Sequence, residues 1–137
     1  MGKDEIVLVD TSSWVEALRS TGNAAVRGRV FQLMTEARAA VCDTVLVELW
    51  NGARGDYEKR KLSELEKNLT CLETTREVWS TARELARKCR KAGETVPTAD
   101  LIIAACAVAH RAALEHCDAH IDAILKVHAS GKKEERA

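Results

Sequence analysis

The sequence predicts an α/β fold, in which a central parallel sheet of about four to five short strands has helices on both faces. Short apolar runs rich in β-branched residues, such as "IVLV" before Asp10, alternate with longer segments of helical periodicity. The composition agrees, since 137 residues with 46% hydrophobic side chains and a single proline suit one helix-rich globular domain. We therefore expect one domain over residues 1–130.

The first half of the chain is predicted to begin with a strand over residues 5–10, "EIVLVD". A continuous apolar run of this length is typical of a parallel strand that is covered on both faces. Apolar side chains at helical spacing predict a helix over 12–19 and, after a break at Gly22, a second helix over 24–38. The run "AAVCD", residues 39–43, predicts the second strand.

The middle of the chain is predicted to continue this alternation. "TVLVELWNGA", residues 44–53, is interpreted as a helix that stops near Gly52, although its valines leave a strand open. Leucines at helical spacing among charged residues predict a helix over 56–69, followed by a brief strand over 70–73. Another amphipathic helix is expected over 76–93.

The last third contains the most apolar segment. Pro97 opens a predicted helix over 99–112 that is apolar enough to be largely buried. "ALEHCD", residues 113–118, predicts a strand, and "AHIDAIL", residues 119–125, a short helix. Residues 131–137, "GKKEERA", are expected to form a flexible charged tail.

Charge and cysteine content narrow the class of protein. Lys plus Arg and Asp plus Glu both number 21, so any nucleic-acid binding must depend on local basic patches. No apolar stretch approaches the roughly 18 residues of a membrane span, and no basic-then-apolar leader is present, so we expect a cytoplasmic protein that does not bind membranes. The cysteines lack a C-x-x-C pair, so reduced thiols are expected.

Acidic residues follow two of the predicted strands. Asp10 comes directly after the first strand and Asp118 directly after "ALEHC". The carboxyl ends of parallel strands meet at one edge of a sheet, where such folds bind their ligands. Helix capping is the alternative interpretation of Asp10, and a favourable interaction with the helix dipole is the alternative for Asp100, in the first turn of its predicted helix.

Glu48 is unusual because it interrupts the apolar run "VLVELW". An unpaired carboxylate among apolar side chains costs free energy or shifts its pKa. If Glu48 lies close to the other three acids, a divalent cation would hold all four ionised. An all-oxygen ligand set favours Mg²⁺, with Mn²⁺ as the alternative, over zinc.

Four motifs resemble those of the PIN domain in order and spacing, and the whole chain resembles a VapC-type toxin of a bacterial toxin–antitoxin pair. They are "IVLVDTSSWVEAL", "TVLVELWNGAR", "TADLIIAACAVAH" and "LEHCDAHIDAI". The resemblance implies a metal-dependent ribonuclease that hydrolyses RNA with one or two Mg²⁺ or Mn²⁺ ions. Carried over motif by motif, it implies catalytic and metal-binding roles for Asp10, Glu48, Asp100 and Asp118.

Further site residues are candidates of lower rank. Asp122 competes with Asp118 as the fourth acid, but Asp122 should fall one turn into the following helix, so Asp118 is preferred. The hydroxyls of Thr11, Ser12 and Thr98 resemble polar groups that the family places beside the metal.

An acidic pocket repels RNA, so basic side chains must hold the strand nearby. Arg54 with Lys59, Arg60 and Lys61 is one candidate group and Arg19 is another, although a solvated helix face explains the same charges.

The resemblance also implies two protein partners: a small VapB-like antitoxin and a second copy of the chain in a homodimer. Trp14, Leu18 and the face around Trp50 are the predicted places for such contacts, while Trp14, Trp50 and Trp79 are interpreted as core or interface residues because they fall on apolar helical faces. The alternative function is an inactive PIN-like scaffold that binds protein or RNA. The presence of all four acids argues against that alternative.

Overall fold

All four strands of the sheet are parallel, as the sequence predicts. In this computed structural model, which describes residues 5–136, their spatial order is β3-β2-β1-β4. The strands are β1 Val7–Val9, β2 Ala39–Cys42, β3 Thr70–Leu72 and β4 Ala113–Glu115. Every residue of β1 and β2 is buried, so helices cover both faces of the central strands.

Seven helices accompany the sheet within the described residues. They are α1 Thr11–Leu18, α2 Ala24–Thr35, α3 Asp43–Asn51, α4 Gly55–Asn68, α5 Arg76–Lys91, α6 Thr98–Ala109 and α7 Ala119–Arg136. Residues 44–53 are therefore helical up to Asn51, and the strand alternative for this segment is wrong. Val45, Leu46 and Leu49 recur at helical spacing and are buried, and this packing outweighs the strand propensity of the valines.

The last helix is longer than the sequence predicts. The short helix expected over 119–125 continues as α7 to Arg136, so the residues expected to form a charged tail are helical from Gly131 to Arg136. Lys126 and Asp122, one turn apart, form an ion pair of 2.9 Å that supports this helix. Ala137 lies outside the described residues.

The core lies between the sheet and its helices and includes Trp14, which is fully buried. The interpretation of Trp14 as a partner-contact surface is therefore wrong, because α1 turns this side chain inward onto the core. Leu18 is half-buried, and Trp50 donates a hydrogen bond from Nε1 to Glu66 Oε1 at 3.2 Å. All five cysteines are free thiols, as predicted. No helix in residues 5–136 is long and apolar enough to cross a bilayer.

Gly22, in the loop before α2, and Gly28, within α2, should respond oppositely to alanine. A Cβ at Gly22 would lie 1.8 Å from the Glu16 carbonyl oxygen, so the loop backbone must move and the free energy of unfolding should fall. A Cβ at Gly28, on the exposed side of α2, meets no atom within 4 Å. Gly28→Ala should therefore raise the free energy of unfolding by about 0.5 to 1 kcal/mol. Urea unfolding of both variants tests this, and a shift of the same sign in both would contradict it.

Candidate active site

Asp10 both caps a helix and presents a carboxylate at the edge of the sheet. It follows β1 directly and is the N-cap of α1, where its Oδ2 accepts hydrogen bonds from Ser12 N at 3.1 Å and Ser12 Oγ at 2.5 Å. The residue is only 2% exposed, and its buried Oδ1 has no hydrogen-bond partner in the described part of the chain. The capping role is thus real, but it uses only one of the two carboxylate oxygens.

Glu48 lies on α3 and is held by a residue of α1. Thr11 Oγ1 donates a hydrogen bond of 2.8 Å to Glu48 Oε1. Thr11 immediately follows Asp10, so this bond ties Glu48 to the end of β1. The carboxylate that interrupts the apolar run is therefore half-buried at the sheet edge and has a polar partner.

Asp100 lies in the first turn of α6, two residues after Thr98, which is the exposed first residue of that helix. Its pKa is raised from 3.8 to about 6, first by burial and then by the negative charges of Asp118, Asp10 and Glu48. These three are the other acids predicted from the sequence. The fold therefore brings four carboxylates into one electrostatic cluster.

Asp118 and Asp122, the two candidates for the fourth acid, lie in different surroundings. Asp118 Oδ1 accepts hydrogen bonds from the backbone N–H groups of His120 at 2.7 Å and Ile121 at 3.0 Å, and so caps α7. Asp118 also acts on the pKa of Asp100. Asp122 instead is paired with Lys126, which lowers the pKa of Asp122. The geometry favours Asp118 and places Asp122 on the surface of α7.

The four carboxylates lie farther apart than the ligands of a single bound cation would. Among residues 5–136, no three His, Cys, Asp or Glu side chains lie close enough together to ligate one cation as they stand. Two features nevertheless fit a hard cation. All four groups offer carboxylate oxygens, the ligands that Mg²⁺ and Mn²⁺ prefer, and the buried Asp10 Oδ1 has an unsatisfied acceptor that a cation would satisfy.

A groove of about 420 Å³ extends from Glu48 between α1, α3 and α4. Arg19, Arg54 and Lys61 line it together with Glu58, so these three of the predicted basic residues share a groove with one acid of the cluster, Glu48. Lys59 and Arg60 do not line this groove. They lie with Asp56 and Ser63 on another side of α4. Of the basic residues predicted as one group, Arg54 and Lys61 therefore line the groove, whereas Lys59 and Arg60 do not.

Sequence reasoning missed one acid at this edge of the sheet. Glu115 ends β4 beside Asp10, whose backbone N–H donates to the Glu115 carbonyl at 2.9 Å. Its side chain accepts hydrogen bonds from Ser13 and Arg29. The signal was present, because Glu115 interrupts an apolar strand much as Glu48 interrupts its helix.

In the presence of a chelator, the contribution of Asp100 to the stability of the fold should decline as the pH rises from 3.8 to about 6, the interval between the ordinary and folded-state pKa values of Asp100. Over this interval the folded protein binds the Asp100 proton more tightly than the unfolded chain does. The resulting stabilisation is fully present below 3.8 and is lost as the pH rises through about 6. Thermal unfolding of the wild type and Asp100→Asn across this range tests it. The same pH dependence in both proteins would contradict it.

Comparison with known proteins agrees with this architecture. The family model described as "PIN domain" matches residues 7–126. Ribonuclease VapC11 of Mycobacterium tuberculosis is 37% identical over 125 residues, which cover 89% of this chain and 93% of the relative. The solved structures of FitAcB from Neisseria gonorrhoeae and of DNA-bound VapBC2 from Rickettsia felis share the fold, with TM-scores of 0.70 and 0.66.

The two structural matches are extensive, although their sequences have diverged. The FitAcB match covers 87% of this chain and 93% of the other at 22% identity, and the VapBC2 match covers 82% and 99% at 20% identity. The family model and the 37% identical relative each span most of the chain. The chain therefore belongs to the PIN-domain family.

Proposed function

We propose that this protein is a metal-dependent endoribonuclease that acts as the toxin of a type II toxin–antitoxin module. The observation that carries the proposal is the convergence of Asp10, Glu48, Asp100 and Asp118 at one edge of the sheet, where burial and the charges of the other three acids raise the pKa of Asp100. Four carboxylates at one sheet edge are suited to cation binding and have no evident structural need to be together. The similarity to ribonuclease VapC11 supports RNA as the substrate.

Mg²⁺, or Mn²⁺ as the alternative, is the proposed cofactor, as one or two ions. Asp10, Glu48, Asp100 and Asp118 would hold it, directly or through water. A divalent cation supplies charge neutralisation at the phosphoryl oxygens and lowers the pKa of a water that attacks phosphorus. Because the pKa of Asp100 is raised to about 6 in the metal-free protein, cation binding near that pH would be accompanied by release of the Asp100 proton.

The hydroxyl side chains next to the acids fix the carboxylates. Thr11 restrains Glu48 through its 2.8 Å hydrogen bond, and Ser12 restrains Asp10 through its N–H and Oγ. The Asp118 carboxylate is held by the first backbone N–H groups of α7. Because these contacts are made before substrate arrives, little reorganisation is needed when charge develops on the phosphate.

The groove beside Glu48 is the proposed path of the RNA strand. Arg19, Arg54 and Lys61 lie along its wall, at a place where they offset the repulsion between the acidic cluster and phosphate groups. Lys59 and Arg60, on another side of α4, belong to a solvated surface and not to this path.

The proposed partner is a small VapB-like antitoxin that inhibits the toxin in the cytoplasm. The solved VapBC and FitAB structures that share this fold support it. A homodimer is also proposed, and the exposed apolar side chains of Phe31, Val47 and Trp79 are places at which a second chain could be sought.

Cleavage of a total small-RNA pool tests the function. Purified protein is incubated with Mn²⁺, with Mg²⁺ and with chelator, and the fragment ends identify the substrate. We expect cleavage with either metal and none with chelator. Folded, antitoxin-free protein that cuts no RNA with either metal would contradict the proposal and favour the inactive scaffold. Co-purification of a small protein from the native host tests the antitoxin partner separately.

A further inference from the structure

The link between β4 and α7 is fastened to the first turn of α1 at two points. Cys117 N donates a hydrogen bond of 3.1 Å to Ser12 Oγ. Two residues earlier, at the end of β4, Glu115 Oε2 accepts a hydrogen bond of 2.7 Å from the fully buried Ser13. This link, His116 to Asp118, carries the fourth acid of the cluster. Its position is therefore set by two consecutive serines of α1.

One of those serines connects the link directly to the first acid. Ser12 Oγ accepts from the Cys117 backbone and also donates to Asp10 Oδ2 at 2.5 Å. Ser12 Oγ thus adds a direct side-chain connection between Asp10 and the link, beside the backbone hydrogen bond from Asp10 N–H to the Glu115 carbonyl. Any displacement of the link away from α1 would be transmitted to both carboxylates.

The Glu115 carboxylate at the start of this link is largely removed from water, with a side chain that is 11% exposed. Its charge is balanced by Arg29 of α2, whose Nε lies 2.6 Å from Glu115 Oε1 and whose own side chain is 52% exposed. Both Glu115 oxygens are therefore engaged, one by Arg29 and one by Ser13. This arrangement does not leave Glu115 available as a fifth metal ligand.

We propose that Glu115, neutralised by Arg29, is a positioning residue that holds Asp118 and Asp10 at the separation needed for cation binding and RNA cleavage. The inference rests on the proposed function and adds to it residues outside the four acids. It assigns Arg29 a role through Glu115 rather than through contact with RNA. Without the Arg29 guanidinium, the largely buried Glu115 carboxylate must turn towards water. This movement breaks its hydrogen bond with Ser13 and releases the link.

Two variants separate this role from its alternatives. Arg29→Ala leaves the Glu115 charge without a counter-ion. Arg29→Ala combined with Glu115→Gln removes that charge while keeping an amide oxygen that accepts from Ser13. Arg83→Ala, on the exposed side of α5, removes a positive charge elsewhere and is the matched control.

The first readout is metal-dependent cleavage, measured at a temperature at which every variant is folded by circular dichroism. Arg29→Ala should lower kcat about tenfold, as loss of groups that orient metal ligands does, with little change in KM. The double variant should recover most of that loss, and Arg83→Ala should match the wild type. A raised KM that the double variant shares would identify Arg29 as an RNA contact and overturn the proposal.

The second readout needs neither RNA nor metal. Hydrogen exchange of the Cys117 amide, which donates to Ser12 Oγ, should accelerate in Arg29→Ala and return towards wild type in the double variant. Wild-type exchange at Cys117 in Arg29→Ala would overturn the proposal. A wild type that cleaves no RNA would overturn the proposed function instead, and Cys117 exchange alone would then decide the positioning role.

Discussion

Asp100→Asn should abolish metal-dependent RNA cleavage and at the same time stabilise the metal-free protein at neutral pH. The side chain keeps its shape but loses the charge whose repulsion from Asp118, Asp10 and Glu48 raises its pKa. Without that charge the folded state is relieved of a like-charge contact. A cation that supplies about 4 kcal/mol of transition-state stabilisation is worth about 10³-fold in rate, so a loss of this order is expected.

Two measurements test this prediction, which expects the cleavage activity to fall and the stability of the metal-free protein to rise. Cleavage rate with Mn²⁺ should fall, and the midpoint of thermal unfolding in chelator at pH 7 should rise. Addition of Mn²⁺ should raise the midpoint of the wild type much more than that of the variant. Asp122→Asn is the matched control, since Asp122 is exposed and paired with Lys126. Wild-type cleavage by Asp100→Asn, or equal losses in both variants, would contradict the assignment of the cluster.

Trp14→Ala should lower the free energy of unfolding by about 3 to 5 kcal/mol, the range for truncation of a large buried aromatic side chain. Trp14 is 0% exposed and is the largest fully buried side chain of the core. Its Nε1 has no hydrogen-bond partner among the described residues. Trp14→Phe should therefore destabilise much less, because it removes a buried N–H group that is already unsatisfied.

Urea unfolding of the two Trp14 variants measures this difference. Trp79→Ala is the control for loss of a tryptophan, since Trp79 is 47% exposed on α5 and should lower the free energy of unfolding much less than Trp14→Ala does. A Trp14→Ala variant as stable as Trp79→Ala would show that the α1 face is not part of the core.

The strand and helix order was predictable because it depends on local patterns. "IVLV" is a continuous apolar run, and α5 repeats apolar residues at 3.6-residue spacing around Val78, Ala82 and Leu85. Where local preferences conflict, the pattern is insufficient. The valines of α3 favour a strand, and only the burial of Val45, Leu46 and Leu49 at helical spacing resolves the segment as a helix. The extension of α7 to Arg136 likewise could not be predicted from the charged composition of its last residues.

The sequence by itself determined the α/β class and the edge of the sheet at which Asp10 and Asp118 lie, because the carboxyl ends of parallel strands point the same way. Only the tertiary structure decided which basic residues border the groove. It alone revealed Arg29 beside Glu115, because these residues are 86 positions apart in the chain. An ion pair between residues so far apart in the chain depends on where the fold places α2 and the end of β4, and no local pattern encodes it.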